Sequence, residues 1–425
     1  MNCCLLNNGE VDAMTHDVLD RLWLEDRTFT DLIKQPFMRG VVNVLLAFVV
    51  FMGLWWVFMD PRGYLRWYTP QYGYMYIRWL LIVAIWQAYI FNFWPFRPEW
   101  MNRAHPLMKG VILVGLNFAI TGLLIWVFYY GIFGKFSIPY FSWHELRKTG
   151  LSDFFSREYS SLAILMMAAI ASWLSPIWPS AFENYPWHKV NQPAKGLTVF
   201  AVTFLFTTYA YLIFMHPHYR VLFYPWQEYT ASFPWWYEEF KTLSGNFNVG
   251  WIMCATVSVW LTETILERYP FRLVKTQPWR GITGFVFILG LAWIFFFTFV
   301  FMQDVVWGVS VEGAKRLMAP DWRYLHTGEL AVILLAIALG LYFYFDNWPR
   351  KYSTEVNILI RVVITIVGAV VLHWAYYKYS PQFLGTQAGY SHPQQFPMAP
   401  VILFINVMLY HNWFMDGWPG RRIAK

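Results

Sequence analysis

Cysteine and charged residues are both scarce in this chain, and each shortage excludes a class of protein. The sequence of 425 residues contains 3 cysteines, two of which, Cys3 and Cys4, are neighbours. So few cysteines cannot staple a chain of this length, which excludes a disulfide framework and a cysteine-based metal motif. Charged residues make up 13% of the sequence, about half of the share usual in soluble domains. An ordinary soluble enzyme and a disordered chain are therefore excluded as well.

The short motifs of several enzyme classes are missing too. The sequence has no P-loop, no dinucleotide-binding glycine motif, no serine-hydrolase elbow, no zinc-protease helix and no C-x-x-C pair. Without a catalytic cluster, no enzyme class is predicted and no cofactor is identified. The net charge of +7 is not gathered in a soluble basic domain, so nucleic acid is not an expected partner.

Apolar and aromatic side chains are abundant instead. Hydrophobic residues reach 58% and aromatic residues 21% of the chain. A helix needs about 20 apolar residues to cross the hydrocarbon core of a bilayer. We therefore predict an all-α polytopic membrane protein, embedded in a lipid bilayer, with ten transmembrane helices. The predicted spans are Phe37–Met59, Met75–Phe93, Leu107–Ile132, Ser161–Trp178, Gly196–Met215, Asn248–Leu266, Gly281–Met302, Gly328–Phe345, Ile358–Tyr377 and Pro400–Phe414.

These spans divide the chain into a polar N-terminal segment (1–36), a transmembrane helical domain (37–419) and a short basic tail (420–425). The N-terminal segment is acidic and lacks an early apolar core, so no cleavable signal peptide is expected. Within it, Val18–Ile33 is predicted to form a helix. More than half of the Lys and Arg residues fall at the termini and in the even-numbered connections. This bias predicts both termini in the cytoplasm, with a bacterial inner membrane as the expected location.

A short motif recurs at the end of every second predicted span. It consists of a polar residue, any residue, an aromatic residue and a proline, and a basic residue or histidine follows within two positions. The copies end at Pro95, Pro186, Pro270, Pro349 and Pro419. Such recurrence predicts five parallel two-helix repeats, related by an axis along the membrane normal. It does not choose between a closed ring and a bundle.

The first residue of the motif is the neutral Asn92 in one copy and an acid in the others, which are Glu183, Glu267, Asp346 and Asp416. A carboxylate at a helix C-terminus opposes the helix dipole. We therefore expect the basic residue that follows the proline to pair with it, as a structural clamp. The alternative is a ring of carboxylates that attracts cations to the cytoplasmic mouth of a pathway.

Glu263 is an acid inside a predicted span, and such residues are functional candidates by default. It precedes Glu267 by four residues, so the two carboxylates are expected on one helix face. Repulsion between them would let one titrate at raised pH and carry a proton. The alternative is that Glu263 pairs with an arginine of a neighbouring helix.

The histidines are weaker candidates. His411 lies five residues before Asp416, near the same helix end, and joins the predicted binding residues. His373 lies at the opposite end of its own span, so the two histidines are not expected to share a haem or a metal. His216 and His218 form a lone H-x-H pattern, which is a weak metal signal.

Polar side chains within the spans, two prolines and one aromatic loop give further predictions. Hydrogen bonds between helices are expected for the polar residues within the spans, which are Gln87, Asn117, Thr121, Asn406 and Asn412. Pro176 and Pro179 predict an interruption near the end of the fourth span. The aromatic and acidic loop 223–240 is expected to lie on the membrane surface or to bind a ligand or a partner subunit.

Two functional hypotheses follow. The first is a membrane transporter or permease for a small solute, with coupling to protons or cations left open and a polar cavity expected near the midplane. The second is a membrane-embedded subunit of a redox or biosynthetic complex that holds quinone, pigment or lipid. The substrate- or ion-binding residues predicted for the first are Glu263, Glu267, Glu183, Asp346, Asp416 and His411.

Overall fold

The computed structural model describes residues 29–31, 33–96, 98, 100–101, 104–132, 142–214, 245–302, 322–385 and 396–423. Some predicted features lie outside these residues. They are His216, His218, the loop 223–240 and most of the predicted helix Val18–Ile33.

The described part of the chain is built almost entirely of helices. In chain order these are α1 (Pro36–Leu54), α2 (Tyr72–Ile85), α3 (Pro106–Trp126), α4 (Trp143–Lys148), α5 (Asp153–Phe182), α6 (Ala194–Phe214), α7 (Gly245–Thr264), α8 (Trp279–Met302), α9 (Trp322–Tyr344), α10 (Thr354–Leu384) and α11 (Met398–Leu409). A π-helical turn extends α1, α2, α3 and α11, at Trp55–Met59, Trp86–Ile90, Val127–Ile132 and Tyr410–Phe414.

Six of the described helices are long and apolar enough to cross a bilayer, and they identify an integral membrane protein. They are Pro36–Met59, Pro106–Trp126, Asp153–Phe182, Trp279–Met302, Arg323–Tyr344 and Thr354–Leu384. Helices also occupy the other predicted span positions, at α2, α6, α7 and the shorter α11.

The long helices fall into two layers that differ in burial. In the apolar stretches of α5 and α9, 83% of the residues are buried, against 22% in α1, α8 and α10 and 33% in α3. Helices α2 and α11 are also buried along almost their whole length. We call α2, α5, α7, α9 and α11 the inner helices and α1, α3, α6, α8 and α10 the outer helices. The outer helices expose large apolar side chains such as Val286 and Leu359, as lipid-facing surfaces do.

The inner helices form a closed ring in chain order. Helix α2 contacts α5, α5 contacts α7, α7 contacts α9, α9 contacts α11, and α11 returns to α2. Each outer helix packs against the outside of this ring. Helix α1 lies on α9 and α11, α8 lies on α5 and α7, and α10 lies on α9. Helix α3 lies on α2 and the turn after α11, and α6 lies on α5 and the turn after α2.

Small residues allow close contact within the ring. A Cβ atom on Gly250 of α7 would lie 2.1 Å from the carbonyl oxygen of Tyr324 on α9. A backbone atom cannot move away from such a clash, whereas the end of a flexible side chain could. Glycine is therefore required at this crossing, as in the small-residue contacts of other membrane helices.

Two local predictions are wrong. Helix α5 runs unbroken from Asp153 to Phe182 with Pro176 and Pro179 inside it, because neighbouring helices can support a proline-containing membrane helix. The end of the predicted N-terminal helix is instead the strand β1 (Phe29–Asp31), which pairs antiparallel with β2 (Arg421–Ile423). This pairing places residues 29–31 beside residues 421–423.

Candidate functional site

The proline motifs end the inner helices with one common backbone geometry. The first residue has a positive φ in every copy, between 46° at Asn92 and 52° at Glu183 and Asp416, and the bond before each proline is cis. In four copies the amide of the second residue donates to the carbonyl six residues earlier; one example is Asn347 to Leu341 at 2.9 Å. This bond spans one residue more than the 6→1 bond of a Schellman ending. The second residue of the motif also has a positive φ in every copy, so two successive left-handed residues stop the helix.

Each acid of the motif pairs with a basic residue near the start of an outer helix that is distant in sequence. The pairs are Asp346 with Arg39 of α1, Asp416 with Lys109 of α3, Glu183 with Arg280 of α8 and Glu267 with Arg361 of α10. The prediction that each acid pairs with a basic residue is therefore confirmed. The prediction that this partner follows the proline of the same motif is wrong for the closest contacts, because helix packing brings a basic residue of an outer helix nearer. The expected type of partner, the arginine after the proline, is a second contact of Glu267, with Arg272 Nη1 3.7 Å away.

A glycine follows the basic residue in several of these contacts and makes room for the helix end. A Cβ on Gly110 would lie 2.1 Å from Met415, which precedes Asp416, and one on Gly281 would lie 2.1 Å from Phe182, which precedes Glu183. Gly40 and Gly196 have equivalent contacts, with Phe345 and Phe91. The sequence carries this signal as a repeated basic–glycine pair. Its copies are Arg39-Gly40, Lys109-Gly110, Lys195-Gly196 and Arg280-Gly281.

Glu263 and Glu267 contact different arginines instead of forming a like-charged pair. Helix α7 ends at Thr264, so Glu267 lies in the turn beyond it, where Arg361 Nη1 donates to its Oε1 at 2.5 Å. Glu263 accepts a hydrogen bond from Ser180. It also accepts from Arg268, with Nε 3.1 Å from Oε1 and Nη2 3.1 Å from Oε2. An arginine partner was the expected alternative, but it comes from the turn after Glu263's own helix.

Arg268 links two of the predicted acids. Its Nη1 donates to Glu183 Oε1 at 3.0 Å, while its other nitrogens bind Glu263. Burial lowers the pKa of Arg268, but the charges of Glu263 and Glu183 outweigh burial and raise this pKa above its ordinary value. The guanidinium therefore stays charged.

The histidines stay apart, and polar residues connect the helices. His411 Nδ1 lies 3.1 Å from the Tyr344 hydroxyl, whereas the His373 ring packs 4.9 Å from that of Tyr377. Within the described ranges, no group of three His, Cys, Asp or Glu side chains could hold a metal. Predicted bonds between helices are confirmed for Asn117, which donates to Gln87 at 2.9 Å, and for Asn406, which donates to the Ile77 carbonyl at 3.0 Å. Asn412 donates to the Met408 carbonyl of its own segment at 2.8 Å, and the Thr121 hydroxyl has no partner among the described residues.

A buried arginine inside the inner ring is the residue that sequence analysis missed. Arg78 of α2 is 1% exposed, and its Nη2 donates to Ser172 Oγ of α5 at 2.5 Å. Ser172 Oγ lies 3.3 Å from Thr256 Oγ1 of α7. No carboxylate of the described residues pairs with Arg78, and its Nε has no acceptor among them. A basic residue within the span Met75–Phe93 was the signal for it.

Arg78 borders a small cavity at the centre of the ring. The cavity has a volume of about 10 Å³ and is lined by residues of α2, α7, α9 and α11. This volume admits about one water molecule. Apart from Arg78 and Thr256 the lining is apolar, with Trp260, Leu339 and Leu409 among its members. The ring axis is therefore closed at this level, with a positive charge at its wall.

A buried acid that sequence analysis also missed lies near the other end of the ring. Glu329 of α9 is 1% exposed. Its Oε2 lies 2.6 Å from His326 Nδ1 and accepts from the Tyr377 hydroxyl at 3.2 Å. Tyr74 of α2 is close enough to interact electrostatically with both Glu329 and Arg78. Glu329 is the second residue of the eighth predicted span, Gly328–Phe345, and its place at the start of a span hid it.

A larger cavity lies between the two layers. It has a volume of about 790 Å³ and is lined by α1, α9, α10 and α11. Its wall is almost wholly apolar, as at Phe48, Ile337 and Phe404, and its polar groups include Ser380 and Tyr376 of α10. Such a lining suits a hydrocarbon chain rather than a hydrophilic solute.

Comparison with known proteins adds no relative from which a role could be taken. No family model matches the chain, and neither a curated protein nor a solved structure does so. The site must therefore be interpreted from its own chemistry.

Proposed function

We propose that the chain is a permease for a small solute whose pathway follows the axis of the inner ring. The observation that carries this proposal is a cluster of three polar side chains at the centre of the ring, which are Arg78, Ser172 and Thr256. Charged side chains inside a membrane protein are costly, and they commonly mark substrate pathways. In this proposal the small, mostly apolar cavity beside Arg78 corresponds to a closed state of the pathway.

The proposed architecture is a ring of five parallel two-helix repeats with ten spans. Its support is a single packing rule, in which the motif acid of one repeat contacts the outer helix of the second repeat after it. Asp346, Asp416, Glu183 and Glu267 all follow this rule. The proposed orientation has both termini in the cytoplasm of a bacterium, as the basic residues predict. The pairing of β1 with β2 supports a shared side for the two ends.

In this proposal the motif acids fasten the outer helices to the ring. Their carboxylates are each occupied by a basic side chain, so a cation-attracting ring has little support. Glu263 has the same kind of partner in Arg268. Solute or ion binding at Glu263, Glu267, Glu183, Asp346, Asp416 and His411 stays a prediction that this pairing does not favour.

Transport by the purified chain tests the proposal. The protein would be reconstituted in sealed vesicles, and the uptake of a panel of small anionic, cationic and neutral solutes would be measured against empty vesicles. We expect uptake of at least one class by the wild-type protein, and its loss in a variant that obstructs the ring, such as Val257→Trp. Vesicles that are impermeable to every solute under a gradient and an imposed membrane potential would contradict a permease.

The second hypothesis, a membrane subunit that holds quinone, pigment or lipid, has one specific observation in its favour. The cavity between the layers is large enough for a hydrocarbon chain, and Ser380 and Tyr376 are among the residues that line it. Absorption spectra and mass spectrometry of extracted lipids would be measured on the purified protein. A stoichiometric quinone, pigment or lipid that is lost in Gly340→Phe, but kept in Gly290→Phe, would favour this hypothesis. Gly290 is a suitable control because a Cβ there meets no neighbour.

A further inference from the structure

We infer that Arg78 is the recognition site for a small inorganic anion of about halide size, held at the centre of the inner ring. This inference rests on the proposed permease function, because it names the class of solute that the pathway selects. It depends on the charge of Arg78, on the partners of its guanidinium and on the size of the space beside it.

The charge of Arg78 is buried without an opposite charge in the described part of the chain. Its hydrogen-bond acceptors there are the hydroxyl groups of Ser172 and Tyr74, neither of which is a carboxylate. Removing an ion from water is costly unless an opposite charge compensates for it. The other buried basic residues near helix ends, such as Arg39 and Lys109, each have a carboxylate partner. Arg78 differs from them, and a bound anion would supply the missing partner.

Ser172 positions the guanidinium and does not neutralise it. The Ser172 hydroxyl donates to the Ala169 carbonyl at 2.7 Å, so its oxygen is free to accept from Arg78 Nη2. Thr256 is held in the same way, with its hydroxyl donating to the Ile252 carbonyl at 2.9 Å. A guanidinium has five N–H donors in a fixed plane, and Nε of Arg78 has no acceptor in the described residues. The donors that remain suit an anion.

The space beside Arg78 restricts the size of this anion. The cavity of about 10 Å³ has room for roughly one water-sized particle, so a halide would fit after a small outward movement of the lining. Large side chains close the cavity, including Trp260, Met253 and Leu81. Organic acids and phosphate esters would need far more room. The geometry therefore favours a small inorganic anion over a metabolite.

Chloride flux through the full chain tests the inference. Vesicles loaded with potassium chloride would contain wild-type protein, Arg78→Gln, Arg78→Lys, Ser172→Ala or the surface control Arg147→Gln, and valinomycin would start chloride efflux. We expect wild-type efflux, a loss of roughly 30-fold or more in Arg78→Gln, as when one member of a buried charge pair is removed, and partial activity in Arg78→Lys. Arg147→Gln should match the wild type, because Arg147 is a half-exposed partner of Asp153 outside the ring. Gel filtration would verify that each variant is folded.

The outcomes separate this inference from the proposed function. Chloride efflux that survives Arg78→Gln, or transport of neutral or cationic solutes without any anion, would overturn the anion site while leaving a permease. If no solute moves, the permease fails, and thermal unfolding with and without sodium bromide decides the site. Stabilisation of the wild type by bromide but not by gluconate, absent in Arg78→Gln, would support the anion site, since a ligand stabilises the state that it binds. No difference between the salts would refute it.

Discussion

The ion pair between Lys109 and Asp416 gives the sharpest prediction about stability. The two side chains are 1% and 3% exposed, and they join α3 to the end of the α11 segment. Replacing Lys109 with methionine keeps most of the side-chain volume but leaves the Asp416 carboxylate buried without its cation. Loss of one partner of a buried pair costs about 3–5 kcal/mol. We expect Lys109→Met to lower the free energy of unfolding by this amount, and Asp416→Asn to have a similar effect.

The double variant separates pairing from packing. With Lys109→Met and Asp416→Asn together, no uncompensated charge remains, so most of the lost stability should return. The single and double variants form a thermodynamic cycle, whose coupling energy would be measured by equilibrium unfolding in detergent. We expect a coupling of several kcal/mol in favour of the pair, well above the typical value for an exposed pair.

A surface pair provides the matched control. Lys148 and Glu145 also form a Lys–carboxylate contact, but their side chains are 70% and 42% exposed. Exposed pairs contribute about 0–1 kcal/mol, so Lys148→Met should change the unfolding free energy little. Equal effects of Lys109→Met and Lys148→Met, or a double variant no more stable than the singles, would refute the buried clamp.

Three further predictions concern single positions. Gly250→Ala should destabilise the protein, because its Cβ would lie 2.1 Å from the Tyr324 carbonyl oxygen, whereas Gly290→Ala has open space; equal thermal shifts would contradict this close approach. Tyr68→Phe removes a buried hydroxyl without a partner in the described residues, so stability at neutral pH should stay equal or rise. Burial raises the pKa of Tyr68, so the wild type should lose stability as pH rises above about 10, where the unfolded tyrosine ionises; an unchanged pH slope in Tyr68→Phe would count against this. Glu263→Gln should lower the free energy of unfolding, because it weakens the contact with Arg268. If the variant also loses the pH dependence of transport in vesicles, that result would support Glu263 as a proton carrier.

Several parts of the candidate site were visible in the sequence. The motif acids Glu183, Glu267, Asp346 and Asp416 were found because each stands at the same place relative to a proline. Their pairing with a cation also followed from the helix dipole. The identity of that cation did not, because Arg39 and Lys109 lie hundreds of residues from Asp346 and Asp416. Only the packing of outer helices on the ring brings these residues together.

The buried residues Arg78 and Glu329 show why the rest could not be predicted. In the sequence, a single charged residue in or beside an apolar span gives the same signal whether its side chain faces lipid, water or the protein interior. Arg78 is significant because α2, α5 and α7 bring it to Ser172 and Thr256 beside a cavity. These contacts depend on how each helix is rotated about its axis, which the almost uniform apolar character of the spans does not specify.

Apolar composition and local backbone chemistry by themselves determined that this is a helical membrane protein and where its helices lie. They did so because the hydrocarbon core requires long apolar helices with all backbone groups bonded internally. The tertiary structure alone decided that the inner helices close into a ring, which basic residue meets each acid, and that one arginine stands at the centre. Those outcomes depend on contacts between distant segments, where size, shape and buried charge must be satisfied together.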